Sequence, residues 1–336
     1  MGRNKSNFVD LCQGDFGRKT AYTGVAQITT ENVIQVLSDT IGTHNRNRMM
    51  INYLYRYYKG DQPILYREKL VRPEVNNRVV ENHALEVVKF KAGQIYGEPI
   101  QYVCKKKKAD KKINEQVDLL NDYLDEANAD ARNIQLGIYQ SAVGTAYKAI
   151  LREDDWTKDR DLPPFRIFIP YPGDVYIVYS RNTGKAMLSV QILKDEENQQ
   201  YYLCYSSNQY FKIKNGQVTV SGINGFGGIP IIEYPNNHDR LSDVEIAITA
   251  FDAINKYQSD RLNGVEQFVQ AFMKFKNCEV DENEFLKMVK LGAISVKDAG
   301  NGVQSDVDLM TAELNQSESQ VAKDDIYNNM PVSYTH

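Results

Sequence analysis

The sequence predicts an α+β protein. Three observations carry that reading. Apolar residues recur at helical spacing from Thr30 to about Gly144. Between Ala146 and Tyr234 the period drops to two, in short runs separated by turn signals. Ser242 then opens an amphipathic stretch too long for one small domain to bury. Periods of 3.6 and 2 mark helix and strand because they set which side chains share a face, and segregated runs of helix and strand point to α+β.

The chain has 336 residues, long for a single core, so two or three modules are expected. Hydrophobic residues make up 42% and charged residues 25%, ordinary for a folded soluble chain. No apolar run approaches the ~20 residues of a membrane span. The start, Met1 to Asp10, lacks the apolar core of a secretory signal. Met1-Gly2 with Ser6 fits only a loose myristoylation pattern that recurs by chance. Cys12, Cys104, Cys204 and Cys278 form no CxxC, which favours reduced thiols over a metal site or disulfide frame. A net charge of −4 argues against a tight grip on duplex DNA, which needs a basic face. It is compatible with a wall past which DNA slides.

Residues 1–29 show no sustained periodicity and read as a flexible arm, or one ordered only by its neighbours. From Thr30 a helix is expected, with Val33, Val36, Leu37, Ile41, Met49, Met50, Tyr53, Leu54 and Tyr57 on its buried side and Gly60 as its stop. A second helix is expected over 76–96, with Val80, Ala84, Val87, Val88 and Ile95 on one face, halted by Pro99. Lys105 to Lys108, with Lys111 and Lys112, reads as a solvated connector. A third helical region covers 113–144, with a break near Asn128.

Strands follow near 147–151, 165–169, 175–179, 188–192, 201–205, 210–213 and 218–220. Pro172-Gly173 and Asn182-Thr183-Gly184 separate some of them, and Asn215-Gly216 signals a type I′ hairpin. The expectation is one antiparallel meander packed on helices. Ser242 and Glu245 form a capping box, and Leu241 can staple against Ile246. The helix they open is expected to reach Lys276, roughly 50 Å at 1.5 Å per residue, with Gly264 as a weak point costing about 1 kcal/mol against alanine. Val244, Ile248, Phe251, Ile254, Val265, Phe268, Val269 and Phe272 form its stripe. A small module follows, with a helix over 281–290, strands over 293–296 and 303–309, and a returning helical composition from Thr311.

Catalytic signatures fail on spacing. Gly14-Asp15-Phe16-Gly17-Arg18-Lys19-Thr20 has two residues where a P-loop needs four, and Arg18 separates its glycine from lysine. Asp15-Phe16-Gly17 has no His-Arg-Asp segment before it, as kinases require. Gly222 to Gly228 leads toward Pro230 and a strand, and a phosphate cradle needs a helix N-terminus. His44, His83, His238 and His336 form no zinc pattern, and no G-x-S-x-G elbow occurs. Asp154-Asp155 and Glu196-Glu197 read as loop charges. Tyrosine is abundant, 22 against one Trp, which suits either interfaces or strands.

Tyr57-Tyr58-Lys59-Gly60, Asn76-Asn77 with Asn82, Gly93, Gly97-Glu98-Pro99-Ile100 and Tyr102, Gly144-Thr145-Ala146-Tyr147, Ile169-Pro170 to Tyr179, Gly228 to Asn237, and Asp252 to Asp260 occur in that order. Together they resemble the portal proteins of long-tailed double-stranded DNA phages. The resemblance runs from about Ile51 over most of the chain. It implies a wing over 30–237, a long stem helix over 238–278, a small α/β clip over 279–312 and a returning stem helix over 313–330. A tunnel helix and crown would follow in the family. Residues 331–336 read as an artefactual tail on a truncated frame.

The implied function is a ring-forming conduit at one capsid vertex, used for DNA packaging and ejection. It would be a virion part, assembled in the bacterial host cytoplasm, with neither catalytic residues nor cofactor nor metal. Implied partners are further copies in a ring of about twelve, the terminase motor, the head-tail adaptor, capsid and scaffold proteins, and double-stranded DNA passing without sequence readout. No membrane is implied. Phe251, Ile254, Phe268 and Phe272 are the expected subunit interface, and Lys287, Lys290 and Lys297 the expected motor or adaptor contact. The alternatives are a DNA-packaging enzyme, which needs a P-loop with an acidic strand end or a carboxylate-metal cluster, and a host α+β adaptor.

Overall fold

The computed structural model describes residues 8–12, 14–70, 73–104, 111–153, 162–269, 272–276, 281, 283, 306–310, 320–321 and 323–325. The chain divides into two units, residues 1–63 with 81–251, and residues 64–80 with 252–336.

In the first unit, helix α1 (Phe8–Cys12) and strand β1 (Ala21–Thr23) precede helix α2 (Val33–Tyr58). The Asn32 side chain accepts from Thr29 N–H and fixes the turn before α2. Val33, Val36, Leu37, Thr40, His44, Met50, Ile51, Leu54 and Tyr57 are buried on α2, at helical spacing. Met49, expected among them, is 55% exposed.

Helix α3 (His83–Tyr96) starts seven residues later than expected. Asn82 takes the N-cap, its side chain accepting from Leu85 N–H, so residues 76–82 are free for other contacts. Ala84, Val88 and Ala92 are its buried side, and Ile95 is 51% exposed. Helices α4 (Lys111–Glu126) and α5 (Ala129–Val143) are separated at Asn128, which sits in the left-handed region at φ 53°. Asparagine tolerates that conformation and interrupts the helix there.

Two sheets follow. The first runs β1-β4-β5-β6-β7-β8, with β4 (Val175–Ser180), β5 (Ala186–Lys194), β6 (Gln200–Tyr205), β7 (Gln209–Lys214) and β8 (Gln217–Ile223). Strands β4 to β8 are the expected antiparallel meander. Asn215 (φ 53°) and Gly216 (φ 73°) turn the β7–β8 hairpin, where a type I′ turn needs positive φ twice. One face of this sheet, with Tyr176, Val178, Leu188, Val190, Cys204, Phe211 and Ile213, packs on Val33, Val36 and Leu37 of α2.

The second sheet runs β3-β2-β9, with β2 (Thr145–Arg152), β3 (Phe165–Phe168) and β9 (Ile231–Pro235). Tyr147, Ala149 and Ile231 of this sheet meet Val175 and Ile177 of the first. A single meander was expected and two sheets are found. Alternation marks strands but carries no pairing information, and β9 returns to lie beside β2 with Ala149 opposite Ile231.

Of the two readings of the N-terminal arm, ordering by neighbours describes residues 14–29. Residues 14–29 are held: β1 pairs in parallel with β4, Ala21 opposite Val178, and Ala21 and Ile28 join the core on α2. Three strand residues are too few for periodicity to register.

Helix α6 (Asp243–Val269) is the longest element, at 27 residues. It was expected to reach Lys276. Instead Phe272–Lys276 forms strand β10, antiparallel to β11 (Asp306–Met310), in the second unit. The register sets Met273 opposite Leu309, Lys274 opposite Asp308, Phe275 opposite Val307 and Lys276 opposite Asp306. That pairing depends on a segment about thirty residues away, which a local 3.6-residue pattern does not sense. The strand expected over 303–309 overlaps β11. The expected helix 281–290, the strand 293–296 and the tail 331–336 lie outside the described residues. Residues 320–321 and 323–325 are helical.

His44 is 2% exposed. Its Nε2 bonds the Gly173 carbonyl at 2.9 Å and its ring stacks on Tyr176 at 4.5 Å. Burial lowers its pKa from 6.5 to about 4, with Arg48 adding to the effect. The unfolded chain therefore binds a proton there between pH 6.5 and about 4 that the folded chain refuses. Stability from this group is complete above pH 6.5 and falls as pH drops through that window, by on the order of 3 kcal/mol in full. Urea titrations at pH 7 and 4.5 should show a smaller acid-induced loss in His44→Gln than in the unaltered protein. Equal losses would mean His44 does not titrate this way.

Candidate functional site

The most specific side-chain chemistry of the first unit converges on the start of α6. Ser242 is its N-cap: Val244 and Glu245 N–H donate to Ser242 Oγ at 3.0 and 3.3 Å, and Ser242 N–H donates to Glu245 Oε2 at 3.2 Å. This is the expected reciprocal box. Ser242 Oγ also donates toward the Ser141 and Ala142 carbonyls, tying α5's end to the same point. Ile246, the proposed staple residue, is 54% exposed.

The loop before the cap is organised by asparagine. Asn237 Oδ1 accepts from Leu241 N–H and its Nδ2 donates to Leu241 O. Asn236 Nδ2 donates to Leu241 O, and Asn236 N–H donates to Gly144 O. Gly144 lies at φ 88°, and a Cβ there would overlap the Arg240 carbonyl. The helix-to-strand step at Gly144-Thr145-Ala146-Tyr147 thus needs glycine for two reasons, backbone angle and close approach.

Two carboxylates anchor this region. Glu245, 3% exposed, accepts Gly17 N–H at 2.7 Å and the Arg18 guanidinium at 2.8 and 2.9 Å. Arg18 Nη1 reaches Val143 O at 3.1 Å. Burial pulls the Arg18 pKa down from its ordinary value while Glu245 pulls it up. Glu233 on β9 accepts a bidentate Arg240 at 2.8 and 2.9 Å, Tyr179 at 2.6 Å and Thr145 at 2.9 Å. Burial alone would raise Glu233, but Arg240, Tyr179 and Thr145 together hold it below its usual value. Arg240 is raised, chiefly by its bond to Glu233. Lys91 of α3 meets Asp243 at 2.7 Å.

In the second unit the C-terminal half of α6 carries a buried polar stripe, Asn255, Ser259 and Asn263. Four-residue spacing puts them on one face. Residues 64–80 lie along that face. Val79 N–H donates to Ser259 Oγ, and Asn77 N–H and Nδ2 donate to Asn263 Oδ1 at 2.7 and 3.1 Å. Asn77 Nδ2 also reaches Glu266, and Arg67 meets Asp260 at 2.7 Å while its Nη2 donates to Asn77 O. The Asn76-Asn77 motif is therefore a main-chain tie to the long helix, not a helix entry.

Sequence-predicted site residues are redistributed. Phe251 and Ile254 are fully buried within the chain, Phe251 against Tyr57 at 6.4 Å between ring centroids. They are buried among the protomer's own residues. A stripe read from sequence does not say which neighbour covers it. Phe272 lies on β10, not on the helix. The side chains of Phe268 and Phe272, and Lys287, Lys290 and Lys297 altogether, lie outside the described residues. Among the described residues, the large apolar side chains of α6 left exposed are Ile246, Leu262 at 47% and Val265 at 39%. Arg18, Glu233 and Arg240 were missed. An arginine in a polar segment carries no local signal of burial. Glu233 sits in Ile231-Ile232-Glu233-Tyr234, and that apolar frame was the available hint.

His83 is held between Glu81 and Glu86 at 3.1 and 2.9 Å. Among the described residues no three His, Cys, Asp or Glu are grouped to hold a metal ion, and no helix is long and apolar enough to cross a membrane. The arrangement is one that fixes a long helix.

A family profile described as "Phage portal protein, SPP1 Gp6-like" matches residues 37–331. The chain belongs to this phage portal protein family. Portals are structural proteins, not an enzyme family, and this portal serves at the vertex conduit of a phage particle. Two solved structures are similar. One is titled as the neck of an empty GTA particle computed with C6 symmetry, with TM-score 0.48, 11% identity, and 85% of this chain and 68% of that chain covered. The other is titled as the neck of a native GTA particle computed with C12 symmetry, with TM-score 0.41, 12% identity, and 74% and 63% covered. No curated protein matches.

Ser242→Ala removes the cap and the tie to α5 together. A cap alone is worth about 1 kcal/mol, and the buried carbonyl partners should raise the loss to about 2 kcal/mol in denaturant melts. Arg240→Met, which strands the Glu233 carboxylate, should cost about 3 kcal/mol or more. Adding Glu233→Met should recover part of that loss. A double variant no more stable than Arg240→Met would rule out stranded charge as the cause.

Proposed function

We propose that this portal closes into a ring of like subunits, about twelve as is usual for closed cyclic assemblies of its family, with α6 contributing to the subunit contacts. The family match carries the reading. It is supported by Leu262 and Val265, which stay exposed beside the α6 side chains that bond Asn77 and Val79. Apolar side chains at a three-residue interval on an exposed helical face suit a neighbouring subunit. Phe268, three residues further on, extends the same spacing in sequence.

The ring acts as a passage for double-stranded DNA without sequence readout, and has no enzymatic activity of its own. It docks the terminase motor and later the head-tail adaptor through residues 279–312, where Lys287, Lys290 and Lys297 are the contact. Capsid and scaffold proteins surround it, and assembly takes place in the host cytoplasm before incorporation into the virion.

Electron microscopy of the purified full-length protein tests the central statement, which expects rings with a central hole. Leu262→Asp and Val265→Asp should leave the monomer folded by circular dichroism and abolish rings. Unimpaired rings in the double variant would remove this face from the subunit contact. Charge reversal at Lys287, Lys290 and Lys297 should leave rings intact and weaken adaptor binding about tenfold or more, because peripheral charges tune association more than folding. Rings lost with partner affinity unchanged would overturn that assignment.

A further inference from the structure

Glu245 serves two structures at once. It closes the capping box of α6 through Ser242 N–H, and it receives Gly17 N–H and the Arg18 guanidinium from the N-terminal segment. The same segment is tied at two more points. Lys19 N–H donates to Asn47 Oδ1 and Asn47 Nδ2 donates back to Lys19 O, at 2.9 and 2.7 Å. Strand β1 adds a three-residue parallel edge to β4. Gly17 lies at φ 80°, against the Asp239 backbone, where a Cβ would overlap the Asp239 carbonyl.

We propose that residues 14–23 are a detachable strap whose docking completes the cap of the long helix, a conformational device that stands apart from ring closure. Docked, every oxygen of Glu245 is paired. Released, Glu245 is a buried carboxylate left with the helix's own N–H groups, and β4 becomes a bare sheet edge. Undocking therefore loosens the first turns of α6, and loosening α6 weakens the strap by the same amount, because coupling is reciprocal.

Four features make the strap separable. Its strand is three residues long. Among residues 24–27, which follow it, Gly24, Ala26 and Gln27 are exposed and Val25 is half-buried, as a hinge requires. Arg18 Nε is buried without a partner, so the docked state carries an uncompensated polar atom. The strap also lies wholly before residue 37, where the family match begins. Opposing release are Ala21 in the core over α2 and, upstream, Phe8 against Tyr53.

Hydrogen-exchange mass spectrometry on the full chain tests this. In urea below the main unfolding transition, amides of 14–23 and 243–248 should exchange together, ahead of those in β5 to β7. Arg18→Met should speed exchange at 243–248 about a hundredfold, from the stranded carboxylate, and leave β5 to β7 unchanged. Glu245→Gln added to Arg18→Met should restore slow exchange at 243–248 while 14–23 stays fast. Three results would overturn the proposal. One is fast exchange at 14–23 with 243–248 unaffected. Another is opening only with the whole unit. The third is no recovery in the double variant, which would assign the loosening to lost packing. Should Arg18→Met fail to fold, the urea experiment on the unaltered chain decides alone.

Discussion

A carboxylate with 3% of its surface exposed persists as a charge only when its oxygens are bonded, and at Glu245 two distant parts of the chain supply the bonds. The N-terminal segment brings a backbone N–H and a guanidinium. The residue before the helix brings another N–H. Val143, at the end of α5, holds the guanidinium from behind. Remove one partner and the others face an unpaired buried charge, which costs more than the pair contributes. The start of α6, the end of α5 and the first sheet's parallel edge are therefore fixed together or not at all.

A second carboxylate, Glu233, repeats the logic one layer away. It gathers β2 through Thr145, β4 through Tyr179 and the pre-helix loop through Arg240. Between the two carboxylates, Gly144 lets the backbone pass where no side chain fits. Further along α6, in the second unit, the helix presents hydrogen-bonding side chains to residues 64–80 in place of an apolar face. Polar ties of this kind are directional, so they specify register where an apolar stripe would tolerate a slide. Positional accuracy of the long helix is the property that such chemistry provides.

The same economy explains the absence of catalytic geometry at the places that looked suggestive in sequence. Gly14 to Thr20 resembles a phosphate loop by composition, yet Gly17 and Arg18 are spent on Glu245 and Lys19 on Asn47. His44 is positioned in the core by a carbonyl and a tyrosine ring and kept neutral by burial, and His83 is clasped by two glutamates. Each of these residues is already engaged within the fold.

What the sequence determined by itself was everything set by local physics. The helices of 30–60 and 111–143, the break at Asn128, the Asn215-Gly216 hairpin, the positions of seven strands and the Ser242–Glu245 box all follow from periodicity, positive-φ tolerance and capping, which act within a few residues. The ordered series of motifs from Tyr57 to Asp260 likewise sufficed for the family. Tertiary structure decided the rest. Which strands pair, whether Phe272–Lys276 is helix or strand, and whether residues 14–23 hang free or lock onto Glu245 all depend on partners between about thirty and 230 positions away. So does the covering of Phe251, which packs against Tyr57. A stripe records that a side chain is to be covered, and only the fold says by what, because burial is a property of the neighbour as much as of the residue.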